Sequence, residues 1–114
     1  MSKQIGMFKP KSEWLPPMDF PDIKDAKRIA IDLETKDPNI TEKGAGWATN
    51  DGHIIGVAIA VDGWEGYYPV RHETGFNHSP EIVFDWLNEM LSTDCEKIAH
   101  NASYDFGWLQ AEGV

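Results

Sequence analysis

Cysteine is nearly absent from this 114-residue chain, where Cys95 stands alone. A single thiol excludes an internal disulfide, and without a CxxC or a Cys/His array nothing signals a zinc site. Long apolar runs are missing as well. The longest, Ile54 to Val61 with its one glycine, falls far short of the roughly 20 residues of a membrane-spanning helix. No apolar stretch precedes a small-residue cleavage site near the N-terminus, so no secretory signal is read and the cytoplasm is the expected location. Basic residues are scarce: Lys plus Arg number 10 against 19 Asp plus Glu, a net charge of −9. At first sight that deficit argues against nucleic acid, because domains that bind it generally carry a basic surface. The deficit is uneven, however. Residues 1–28 hold six basic and four acidic groups, whereas residues 29–114 hold four and fifteen.

What is present indicates a folded domain. A hydrophobic content of 41% with five tryptophans argues against disorder, and the length suits one domain with a modest core. Residues 1–27 read as an irregular arm. Pro10, Pro16, Pro17 and Pro21 break regular structure there, and Trp14, Leu15, Met18 and Phe20 are suited to pin it to a body. From residue 28 onward Ile29, Ile31 and Leu33 alternate with Ala30, Asp32 and Glu34, the period of a half-buried strand. Lys36 to Gly52 reads as a long polar loop. His53 to Val61 and Trp64 to Val70 predict a hairpin about Asp62-Gly63, a strong two-residue turn signal. Ser79-Pro80-Glu81 opens a helix over about 80–92, with Ile82, Val83, Trp86, Leu87, Met90 and Leu91 at helical spacing. Lys97 to His100 is a short strand, and Asn101 is placed to cap a last helix ending near Gly113. This order predicts an α/β fold in which three antiparallel strands and one parallel strand form a mixed sheet with flanking helices.

Two places carry chemistry. Asp32 and Glu34, two apart on a strand, project their carboxylates from one face. Neighbouring carboxylates repel unless one is protonated or a cation lies between them, and oxygen-only ligands favour Mg²⁺ or Mn²⁺. Taken alone, the pair reads as solvated acids at a strand end. In the last helix Asn101, Tyr104, Asp105 and Trp108 share one face, while Ala102, Phe106 and Leu109 form an apolar one. His53, His72, His78 and His100 show no metal-ligand spacing and read as ordinary loop or surface residues.

These two segments resemble a family. Ile31-Asp-Leu-Glu-Thr35 resembles the first motif of the DEDD (DnaQ-like) 3′–5′ exonucleases. His100-Asn-Ala-Ser-Tyr-Asp-Phe-Gly-Trp-Leu109 resembles the second motif, in the form found in the proofreading domain of family A DNA polymerases. Gly66-Tyr-Tyr-Pro-Val-Arg-His72 is also similar to that domain, and the Trp14-Leu-Pro-Pro17 arm and the Asp37 to Trp47 loop look most like phage-encoded polymerases. The resemblance implies a ribonuclease H-like sheet over residues 28–114 and two-metal hydrolysis of a 3′-terminal phosphodiester with release of nucleoside monophosphates. Asp32, Glu34 and Asp105 would be the catalytic carboxylates and metal ligands for Mg²⁺ or Mn²⁺. Thr35, Asn101, Tyr104 and His100 would contact the single-stranded 3′ end of DNA, and the downstream polymerase domain of the same polypeptide would be the other partner.

The chain departs from the family in its long Lys36 to Gly52 loop, where the bacterial enzymes have a compact one, and in one more important respect. The family's third motif, a Tyr or His followed four residues later by an Asp, does not occur, so the resemblance implies an incomplete exonuclease domain that is inactive in isolation. Two other readings stay open. A ribonuclease of the same superfamily would use the same carboxylates on RNA, and a non-catalytic domain would keep the fold for packing or protein contact.

Overall fold

The computed structural model describes residues 16–99 and 101–114, so the readings of Trp14, Leu15 and His100 lie outside the described residues. Among the described residues eight elements follow one another: β1 (Arg28–Lys36), α1 (Ile40–Lys43), α2 (Gly46–Thr49), β2 (His53–Val61), β3 (Trp64–Pro69), α3 (Pro80–Met90), β4 (Glu96–Ala99) and α4 (Ala102–Ala111). The strands form one sheet in the order β3-β2-β1-β4. β2 lies antiparallel to both β1 and β3, and β4 runs parallel to β1. The architecture is α/β, a mixed four-stranded sheet with flanking helices.

Strand alternation decides what lies where. Ile29 and Ile31 of β1 are 0% and 2% exposed, and the register pairs Ile31 with Ile59 and Leu33 with Val57. Tyr68 joins the same face opposite Val57. The core forms there, closed by Val83, Trp86, Leu87 and Met90 of α3 and by Trp108 and Leu109 of α4. The hairpin turns at Asp62-Gly63, with Val61 paired to Trp64 and Gly63 at φ +86°, a conformation that costs glycine little.

Several local readings change. The 36–52 segment is not structureless, because α1 and α2 each add one helical turn. Ser79 and Asn101 occupy the N-cap positions of α3 and α4, but neither side chain makes a cap hydrogen bond. Ile82 is 55% exposed, since it lies about 100° around the helix from Val83, at the edge of the stripe centred on Val83, Leu87 and Met90. On α4 the inward face is Asp105, Trp108 and Leu109, while Ala102 and Phe106 are exposed. The larger indole takes the core position that the apolar pattern offered to Phe106.

The described part of the arm is held by core side chains bonding its carbonyls. Tyr68 Oη donates to Asp19 O at 2.7 Å, Trp86 Nε1 donates to Pro21 O at 2.9 Å, and His78 Nε2 lies 2.8 Å from Pro17 O. Phe20 stacks on Tyr68 at 5.0 Å, and Ile23 is buried, whereas Met18 points to solvent at 69% exposure. His78 is therefore an interior residue, 8% exposed, and not a surface histidine. At the other end Arg71 pins the C-terminus of α4. Its guanidinium meets Glu112 in a two-pronged contact at 2.8 and 3.1 Å and donates to Ile54 O at 2.9 Å.

Two predictions follow from these pins. Burial, then the nearby Asp19 charge, pushes the Tyr68 phenol from 10.0 up to about 12. The neutral form is the one the fold favours, so this contribution is complete below pH 10 and disappears as pH rises through about 12. Chemical denaturation should show stability falling across that interval by on the order of 2 kcal/mol, and Tyr68→Phe should flatten the decline. Arg71→Lys keeps the charge but loses the fork geometry, and should lower unfolding free energy by about 1–2 kcal/mol. A denaturant midpoint equal to that of the parent protein would refute this role.

Candidate active site

The core claims one face of the sheet and leaves the other uncovered by the described residues. On that second face Asp32 stands opposite Ala58 and Glu34 opposite Gly56. A shallow groove of about 670 Å³ runs across it, lined by Ala30, Asp32, Ala58, Ala60, Tyr67 and Ile98 among others. Its floor is mostly alanine, so the polar groups stand above a low apolar surface. Just beyond Glu34 the register shifts: Glu34 pairs with Gly56 but Thr35 with Ile54, leaving Ile55 as an extra residue on β2. Its carbonyl accepts from the N–H groups of Val70 and Arg71 at 2.9 and 3.1 Å. The extra residue belongs to β2; on β1 the alternation continues, so Thr35 falls on the core side and meets Tyr104 of α4.

Glu34 is engaged by a side chain two strands away. Tyr67 Oη donates to Glu34 Oε1 at 2.6 Å and lies 2.7 Å from His72 Nε2. The His72 and Tyr67 rings meet edge-on, centroids 5.8 Å apart, and His72 Nε2 is 3.5 Å from Glu34 Oε1. Burial, then the hydrogen bond to Glu34 and its charge, holds the Tyr67 phenol well above the ordinary tyrosine range. Tyr67 therefore keeps its proton and serves as a hydrogen-bond donor at physiological pH. Neither Tyr67 nor His72 stood out in the sequence as a site residue.

A second cluster ties the 37–52 segment to α4. Tyr104 Oη is 2.9 Å from Thr35 Oγ1 and donates to Asp37 Oδ2 at 2.9 Å, the oxygen that also accepts Gly46 N–H at 3.0 Å. Asn39 Nδ2 donates to Asp51 Oδ2 at 2.7 Å across the same segment. Trp47 lies against Gly107, where a Cβ would come within 2.3 Å of the indole. Asp37 is a further residue that sequence reasoning missed.

The structure thus distributes the predicted residues. Asp32 and Glu34 are exposed side by side on the open face, and Asp105 is buried at 3% exposure in the first turn of α4. Thr35 and Tyr104 are half-buried and bonded to each other, Asn101 is exposed at the start of α4, and His100 lies outside the described residues. Among the described residues no three His, Cys, Asp or Glu side chains converge closely enough to hold a metal ion. The donor chemistry of Asp32, Glu34 and Asp105 suits a hard cation, but their placement does not form a three-ligand set. Among the described residues no helix is long and apolar enough to cross a membrane.

No protein-family model matches the chain. The chain is, however, similar to a segment of a phage replication enzyme. That relative is the DNA-directed DNA polymerase of Pseudomonas phage M6, 34% identical over 108 residues. The match takes in 90% of this chain and 16% of the polymerase, so the chain spans about a sixth of that protein's length.

The Tyr104 cluster yields a stability prediction. Tyr104→Phe keeps the ring and removes the hydroxyl that Asp37 and Thr35 share, at a cost of about 1–2 kcal/mol. Thermal melting should show a loss of several degrees, and Trp47 fluorescence should shift as the segment loosens from α4. A melt and an emission spectrum matching those of the parent protein would refute the tie.

Proposed function

We propose that this chain forms part of the 3′–5′ proofreading exonuclease module of a DNA polymerase, built on a ribonuclease H-like sheet. One observation supports the reading above the others: strand alternation presents Asp32 and Glu34 together on an open sheet face beside a groove, in a chain similar to a phage DNA polymerase segment. In this reading Asp32, Glu34 and Asp105 are the carboxylates that the segment contributes to a Mg²⁺ or Mn²⁺ site. The ion would supply the positive charge that lets a phosphodiester approach these acids. The described carboxylates do not close that site by themselves.

The remaining residues have roles set by their surroundings. The Tyr104 hydroxyl is occupied by Thr35 and Asp37, so Tyr104 would meet a nucleobase with its ring, as aromatic platforms do for single strands. Asn101, exposed at the start of α4, has both its amide donor and its carbonyl acceptor to offer a strand. Thr35 would act through its backbone, and His100 adjoins this group in sequence.

The test is an exonuclease assay with Mg²⁺ or Mn²⁺ on the complete polypeptide carrying this segment, with single-stranded DNA and RNA of matched sequence. Asp32→Ala should lower nucleotide release by about 100-fold or more, several kcal/mol of transition-state stabilisation. Its melting temperature should stay near the parent value, because removing an exposed acid beside Glu34 relieves repulsion. Marked destabilisation, or full activity in the variant, would overturn the assignment of Asp32. Faster turnover of RNA would favour an exoribonuclease, and no release by the parent polypeptide would favour a non-catalytic domain.

A further inference from the structure

Glu34 sits on the central strand β1, and Tyr67 belongs to β3, two strand spacings or about 10 Å away. A tyrosine spans that gap only if nothing stands on the strand between. Gly56, the register partner of Glu34, leaves the space: a Cβ there would lie 1.7 Å from Tyr67 Oη. The phenol carries one proton and gives it to Glu34 Oε1. Its oxygen can then only accept from His72, so Nε2 of His72 must bear hydrogen. His72 itself is fixed from behind. Asn77 Oδ1 accepts its backbone N–H at 2.8 Å, and Asn77 Nδ2 donates to its carbonyl at 2.9 Å. A run of defined contacts therefore leads from Asn77 through His72 and Tyr67 to one oxygen of Glu34.

We propose that Tyr67 and His72 are positioning residues for Glu34, holding Oε1 so that Oε2 is the oxygen offered at the groove beside Asp32. What Glu34 does with that oxygen rests on the exonuclease reading; how it is held does not. Working carboxylates are commonly oriented by hydrogen bonds from a surrounding layer. Among the described residues Asp32, on the same face, is the free-standing member of the pair, and Glu34 the anchored one.

Two measurements test this. In the ¹⁵N-labelled 114-residue chain, the ring nitrogens of His72 should report a protonated Nε2. Tyr67→Phe, which keeps the ring and removes the bridging hydroxyl, should shift that signal toward free imidazole, and Glu34→Gln should shift it as well. Gly56→Ala should reproduce the Tyr67→Phe spectrum by displacing the phenol, and where Gly56→Ala fails to fold Tyr67→Phe decides. A His72 spectrum unchanged by both Tyr67→Phe and Glu34→Gln overturns the proposal.

The second measurement uses the complete polypeptide. Tyr67→Phe should lower exonuclease kcat by about 10- to 100-fold, with KM for single-stranded DNA held within about twofold. The same substitution should cost nothing further in a Glu34→Ala background, because a positioning residue acts only through the group it holds. An equal loss in both backgrounds overturns the proposal. If the parent polypeptide releases no nucleotide, the exonuclease reading falls and the His72 spectra alone decide whether Glu34 is held in this way.

Discussion

The register of β1 is the constraint on which the rest depends. Ile29 and Ile31 are enclosed almost completely, and a strand's side chains alternate strictly between its two faces. Burying these isoleucines therefore forces Ala30, Asp32 and Glu34 to the opposite face. A slip of one residue would expose both isoleucines and drive two carboxylates into a core closed by Trp86, Leu87 and Trp108. β1 is also central, hydrogen-bonded to β2 on one side and β4 on the other. The placement of the acid pair is thus fixed by the same free energy that folds the sheet.

The open face owes its character to what lies on β2. Gly56, Ala58 and Ala60 form a low floor between β1 and β3, so long polar side chains can lie across the sheet instead of standing up from it. Tyr67 does so over Gly56. A floor of valine or isoleucine, which strands otherwise favour, would fill the groove and separate Tyr67 from Glu34. Past the bulge at Ile55 the ladder continues through Thr35 and Lys36, and Thr35 meets Tyr104 from the core side of β1. Two hydrogen-bonded clusters diverge from adjacent residues of one strand, one above the groove and one against α4.

Much of this was legible in the sequence where a single periodicity governed. The alternation of β1, the Asp62-Gly63 hairpin and the helical spacing of α3 each depend on neighbours in the chain, and each matches the structure closely. What the sequence hid depends on pairing between strands. The hairpin turn alone places Tyr67 opposite Ala58, but only the β1–β2 register with its bulge shows that Glu34 lies beside Gly56 and within reach of the phenol. Asp37 was equally hidden, because its role comes from α4 folding back 67 residues later. The inward face of α4 was misjudged for a related reason. Its apolar and polar residues are spread around the helix, so intrinsic pattern gave no decisive face and tertiary packing of Trp108 decided.

The charge of the segment limits how any polyanion can meet the open face. Asp32, Glu34 and Glu65 share it, and the four basic groups beyond residue 28 are Lys36, Lys43, Arg71 and Lys97. Arg71 is neutralised by Glu112 at 2.8 Å, and Lys36 lies 3.8 Å from Glu73. Affinity for a nucleic-acid backbone ordinarily comes from Lys and Arg displacing counterions from phosphates, and the alternation of β1 puts one such group, Arg28, on this face at the opposite end of the strand from Glu34. A strand brought to Asp32 would be held by a cation that reverses the local sign, by base stacking, or by basic groups at Arg28 and elsewhere in the polypeptide. The first of these acts at the position of the acids themselves, so in the proposed chemistry the charges of Asp32 and Glu34 are part of how a strand is met.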